Sequence, residues 1–319
     1  MSVPGPLLKV ATLGLLTLVW GTTWAAITIS LRGIPPFTGV ALRFAIASTM
    51  LIGYARVMGI PLAATNQRER RLRLLHALLS FCVSYGIVFW VEQWVPSGLT
   101  SVLFATFPLL VVVMAHFALP REQMNRLVLF GSCLGFGGIA VIFAEDLELL
   151  GGPMVALASV VMLISPLVSA TVSVAVKKWG SGMHPVPFNA MAMVFATGIM
   201  GAVAVIVEHD RPVVFDPGPV AALLYMAIAG TAITFPLYFW LLEHMEARQV
   251  ALIAYGTPVV ALFIGVVYMG EPMTVRTWVG SAMVVLGVAV ASQAGGRRNG
   301  GVSGTEAGAR ADAGKGGIE

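Results

Sequence analysis

The chain is divided into apolar blocks, each long enough to cross a membrane and separated by short charged connections. A helix needs about 20 apolar residues to cross the hydrocarbon core, and its backbone amides must be satisfied within that crossing. Such blocks fall near Val10–Leu31, Thr38–Ala55, Leu74–Val91, Gly98–Leu119 and Leu127–Phe143. A second set falls near Met154–Val176, Val186–Val207, Val220–Leu242, Gln249–Met269 and Thr277–Ser292. Of 319 residues, 58% are hydrophobic and 11% charged, a balance foreign to water-soluble globular folds. The predicted class is an all-α integral membrane protein with ten transmembrane helices.

Lys9 precedes a charge-free run from Val10 to Leu31 that is longer than a signal-peptide core and is followed by no small-residue cleavage site. It reads as an uncleaved first span. The segment from Ala294 to Glu319 is rich in Gly, Ala and charge, so it cannot bury enough apolar area to offset ordering its backbone. It is expected to be a disordered cytoplasmic tail.

Basic residues near span ends tend to stay cytoplasmic. With the N-terminus inside, one face holds Lys9, Arg56, the Arg68–Arg73 cluster, Arg121, Arg126, Lys177, Lys178, Arg248 and the basic residues of the tail. The other face holds only Arg32, Arg211 and Arg276, beside the acidic residues Glu145, Asp146, Glu148, Glu208, Asp210 and Asp216. Both termini are therefore expected in the cytoplasm.

The two sets of blocks are related. At one constant offset Phe89-Trp90 falls on Phe239-Trp240, Pro108 on Pro258, Arg126 on Arg276 and Gly137 on Gly287. The expected units are residues 1–148, 149–293 and the tail 294–319. Five spans per unit start the second from the opposite face, which makes it an inverted copy. Exchange of conformation between inverted copies carries a shared central site from one side of the membrane to the other.

Other functions have little support. A net charge of +4 without an aromatic-interleaved basic surface does not suit nucleic acid. Cys82 and Cys133 lack the spacing of a metal or redox pair. No His/Asp/Glu metal set and no paired nucleophile and base lie in the spans, so neither an enzyme nor a cofactor is expected.

The ten spans, the Leu18-Val19-Trp20-Gly21 stretch, the run from Pro36 through Arg43 and the two related halves resemble the EamA-type branch of the drug/metabolite transporter superfamily. Within it the nearest likeness is to bacterial inner-membrane exporters of aromatic and other amino acids. That resemblance implies a basket of helices around a central cavity, a small-molecule substrate passing between the halves, and a bilayer as the other partner. A monomer suffices for such a device. Drug export, and a receptor that binds without transporting, are the alternatives.

Trp20, Trp24, Tyr85, Tyr238 and Tyr255 supply rings that stack on a flat or aliphatic substrate, and tyrosine adds a hydroxyl. Thr23, Thr106 and Thr257 hydrogen-bond without burying a charge, although such residues often bond only their preceding turn. Pro108 and Pro258 free the carbonyls of Phe104 and Ala254 and are candidate hinges. Pro166 and Pro236 read as fixed kinks.

Phe89, Trp90, Phe239 and Trp240 stand near span ends and are expected in an interfacial belt. Arg43 is an intramembrane charge, hence a candidate for a substrate carboxylate, but its place near the outer boundary favours extension to the headgroups. His76 and His116 are expected at the interface, and Glu92 and Glu271 in solvent. With no deep acid, movement down the substrate gradient is the expected mode.

Overall fold

The computed structural model describes residues 5–118, 126–144, 152–245, 250 and 252–296. Helices follow one another in the expected order. The first half comprises α1 (Pro6–Ser30), α2 (Pro36–Val57), α3 (Gln67–Val91), α4 (Ser97–Ala118) and α5 (Arg126–Phe143). The second comprises α6 (Met154–Trp179), α7 (Pro185–Val207) and α8 (Pro217–Tyr238), with α9 (Leu252–Val267) and α10 (Val275–Gly296). The first eight are long and apolar enough to cross a membrane, and α9 and α10 contain shorter apolar runs. Helix α10 takes in the first residues assigned to the tail, and 297–319 lie outside the described residues.

Local sequence sets the helix starts. Pro6, Pro36, Pro185 and Pro217 each open a helix, where the missing N–H leaves no bond unmade. Inside helices, proline acts unevenly. Helix α4 is interrupted between Phe104 and Phe107, ahead of Pro108, and α6 between Met162 and Ile164, ahead of Pro166. Before Pro236 the chain widens into a π-helix over Ile228–Ile233, whereas Pro258 lies inside α9 without a break. Helix α3 carries a π-helix over His76–Ser84, and the repeat offset maps that stretch onto the π segment of α8.

Packing shows how the halves relate. Helix α1 lies against α9 and α8, and α6 lies against α4 and α3. The pairs α2·α7 and α5·α10 each join equivalent helices. Exchanging the halves converts every one of these pairings into another of the set, as two interlocked inverted five-helix repeats require. Small residues permit the closest approaches. A Cβ on Gly138 would stand 2.5 Å from the Gly280 carbonyl oxygen, and one on Gly280 2.6 Å from that of Gly138. Where α1 crosses α9, a Cβ on Gly21 would stand 2.5 Å from Val260 Cβ.

Two helix starts in the first half are capped by acids from the second. The exposed N–H groups of a helix N-terminus attract a carboxylate. Phe37 and Thr38, opening α2, each donate a backbone N–H to Glu208 at 2.8 Å. Ser97 and Gly98, opening α4, donate to Glu271 at 2.8 and 2.9 Å. Glu271 is thus engaged by backbone donors, contrary to its expected place in solvent. Phe89 also departs from expectation: it is 0% exposed and packs over Gly39 in the core, because α2 and α3 meet there. Trp90 is half-buried against Trp94, and the side chain of Phe239 lies outside the described residues.

Candidate functional site

Side chains from both halves converge where α1, α2, α3 and α8 meet. From α1, the Trp20 indole N–H donates to the Gly230 carbonyl at 3.3 Å and the Thr234 hydroxyl at 3.1 Å. The π turn supplies these acceptors, because it bends the backbone ladder just ahead of Pro236. The Trp20 ring lies 5.5 Å from that of Tyr238 and 6.4 Å from that of Phe235. The equivalent contact in the other half joins α3 to α6, where the hydroxyls of Ser84 and Ser165 share a 2.7 Å hydrogen bond and Ser169 donates to Ser84.

Arg43 completes the cluster from α2. It is 3% exposed, and its Nε–H donates to the Thr231 hydroxyl at 3.1 Å. The guanidinium carbon lies 5.0 Å from the Tyr85 ring centroid, a cation–π contact. Nη1 points at the Met226 sulfur at 3.7 Å. The headgroup reading therefore fails: the side chain turns inward, because Tyr85 and Thr231 offer partners at the interface of the halves. Tyr85 also meets Phe44 edge-on at 5.1 Å.

Glu92 also overturns its expectation. It follows α3 directly, is 4% exposed, and its Oε2 accepts the Thr28 hydroxyl at 3.0 Å. A buried acid therefore exists, and uncoupled movement no longer follows from the lack of one. His76 is not simply interfacial: it stacks on Phe188 and its Nε2 lies 3.2 Å from Asn189 Oδ1.

The candidate residues thus separate into groups. Trp20, Thr23, Tyr85 and Tyr238 share the convergence point, where the Thr23 methyl faces Gly230. Trp24 instead packs on Phe104 at 5.6 Å, beside the break in α4. Thr106 lines a small apolar cavity of about 120 Å³ between α4, α5 and α6. Thr23, Thr106 and Thr257 each donate to a carbonyl of their own preceding turn, at 2.7 Å in every case. The side chain of Tyr255 lies outside the described residues. Sequence reasoning missed Gly230, Thr231 and Thr234, which lie in an apolar run; their only cue is Pro236 shortly after.

Interlocked inverted repeats, with polar and aromatic side chains gathered at their interface, define a two-repeat membrane transporter. The chain belongs to the EamA-like transporter family, which matches residues 8–144 and again 156–293. Among its relatives, the uncharacterized transporter YoaV of Bacillus subtilis strain 168 is 27% identical over 273 residues, 85% of this chain and 92% of that protein. The uncharacterized inner membrane transporter YedA of Escherichia coli K12 is 27% identical over 277 residues, covering 86% and 87% of the two chains. Protein PagO of Salmonella typhimurium LT2 is 25% identical over 252 residues, covering 78% and 81%. A crystal structure superposes with a TM-score of 0.64 at 18% identity, over 89% of this chain and 96% of its own, a likeness of fold. The family and these named relatives are transporters or of unstated activity, not enzymes.

Proposed function

We propose that the protein exports amino acids, aromatic ones among them, across the inner membrane by alternating access. The observation that carries this reading is the mirrored bonding between halves. The first helix of each half bonds the π-containing helix of the other, through Trp20 to Thr234 and through Ser165 to Ser84. A pair of inverted units held by exchangeable contacts of this kind suits a site that faces each side in turn. The rings of Trp20, Phe235 and Tyr238 offer a face to an aromatic side chain.

Further parts of the reading follow. The units are residues 1–148 and 149–293, with 294–319 as a cytoplasmic tail and both termini inside. Placement in the inner membrane has support from YedA, whose name states that location. Pro108 serves as a hinge, beside a helix interruption, and Pro258 as its repeat partner.

Radiolabelled amino-acid flux in proteoliposomes tests the reading, with aromatic, aliphatic and cationic competitors. Saturable flux inhibited most by aromatic amino acids is expected. Ligand binding without any flux would favour a receptor and remove the transport proposal. Trp20→Ala and Tyr255→Ala are expected to alter substrate choice more than protein abundance. Unchanged selectivity in both variants removes those residues from the site.

A further inference from the structure

Two buried ionisable side chains at the junction of the halves each keep a polar atom that no described residue satisfies. Arg43 bonds Thr231 through Nε and meets the Met226 sulfur through Nη1, while Nη2 has no acceptor among the described residues. No described carboxylate lies within ion-pair distance of it. On Glu92, Oε2 accepts the Thr28 hydroxyl, and Oε1 is buried without a partner. In a low-dielectric interior an unpaired ion is strongly disfavoured, and intramembrane charges mark functional sites.

The two side chains carry opposite charge and act on one another electrostatically, yet they do not form an ion pair. Direct contact would neutralise both. Their separation instead leaves a slot with a positive end and a negative end. The other acids nearby are already engaged, because Glu271 and Glu208 each give both oxygens to backbone N–H groups. Glu92 alone of these three keeps an oxygen unsatisfied.

We infer that Arg43 and Glu92 together grip the charged head of an α-amino acid, Arg43 Nη2 taking its carboxylate and Glu92 Oε1 its ammonium group. This assignment rests on the amino-acid reading above and names the residues that recognise the head. A guanidinium matches a carboxylate in shape and charge, and an ammonium donates well to a carboxylate oxygen. Thr231 and Thr28 act as positioning residues by fixing the far atoms of the two side chains. Thr231 belongs to the second half, so parting of the halves frees Arg43 as the substrate enters. Trp20, Phe235 and Tyr238 remain for the side chain of the substrate.

Equilibrium binding to the purified full-length chain in nanodiscs tests this, alongside the flux assay. The ligands are phenylalanine, phenethylamine, which lacks the carboxylate, and 3-phenylpropionate, which lacks the ammonium. Leucine, isoamylamine and 4-methylpentanoate form a second series. The unaltered protein is expected to prefer each amino acid by about tenfold or more over either truncated ligand. Arg43→Gln should erase the preference over the amine and keep that over the acid; Glu92→Gln should do the reverse.

A general loss of fold cannot yield that crossed pattern. Should either variant fail to fold, Arg43→Lys and Thr28→Val are expected to narrow the same two ratios in the same crossed sense. Unchanged ratios in the folded variants overturn the inference and leave amino-acid transport standing. If no amino acid binds or moves with the unaltered protein, the transport reading falls and takes this assignment with it.

Discussion

Trp20 reaches across the interface with one donor and two acceptors, so its contribution divides cleanly into ring and N–H. Trp20→Phe keeps an aromatic face and removes the donor. The loss of such a hydrogen bond is worth about 1 kcal/mol, or about fivefold in an equilibrium constant. A drop in apparent affinity of that size, with aromatic preference retained in competition flux, is the expected outcome. At this scale the sequence was only partly readable. Arg43 stood out as a charge within a span, but its direction depends on Thr231 and Tyr85, neither of which marks itself in an apolar run. An acid at a span end, such as Glu92, Glu208 or Glu271, looks the same in sequence whether it meets water or a bare helix start from the other half.

Between elements, the contact of α5 with α10 is set by backbone proximity, which makes neighbouring glycines unequal. Gly138→Leu and Gly280→Leu drive a side chain into a facing carbonyl, and overpacking of this kind costs about 1–3 kcal/mol. Gly137→Leu meets only the flexible end of Met283, at 3.5 Å, and should be tolerated. Melting of detergent-purified variants, followed by size-exclusion chromatography, should place the first two well below the third. The acid caps give a second prediction at this level. Glu208→Gln removes charge from the start of α2, and Glu271→Gln from that of α4. Hydrogen bonds to a charged group are worth about 1.5–3 kcal/mol. Backbone hydrogen exchange should therefore rise at Phe37 and Thr38 in the first variant and at Ser97 and Gly98 in the second. Span lengths were legible because bilayer thickness fixes them, and the caps were not, because they join segments far apart in the chain.

For the molecule as a whole, the distribution of Lys and Arg predicts both ends on one side. Fusion of a fluorescent protein to the C-terminus should glow and fusion of a periplasmic phosphatase there should stay inactive; the opposite pair of results would invert the assigned orientation. The repeat was visible in matched Trp, Pro, Arg and Gly positions, and the interlocking of α1 with α8 and α9, and of α6 with α3 and α4, is its spatial form. What no residue pattern announced is that both copies widen into π-helix at corresponding places. A wide turn stores a surplus residue within an otherwise regular spiral. If that surplus migrates along the axis, each residue it passes swings by about 100°, the angular step of the α-helix. Tyr85 and Phe235 stand immediately or almost immediately beyond these reservoirs, so the rings can be dialled toward or away from the centre while each rod keeps its length and its place in the bilayer.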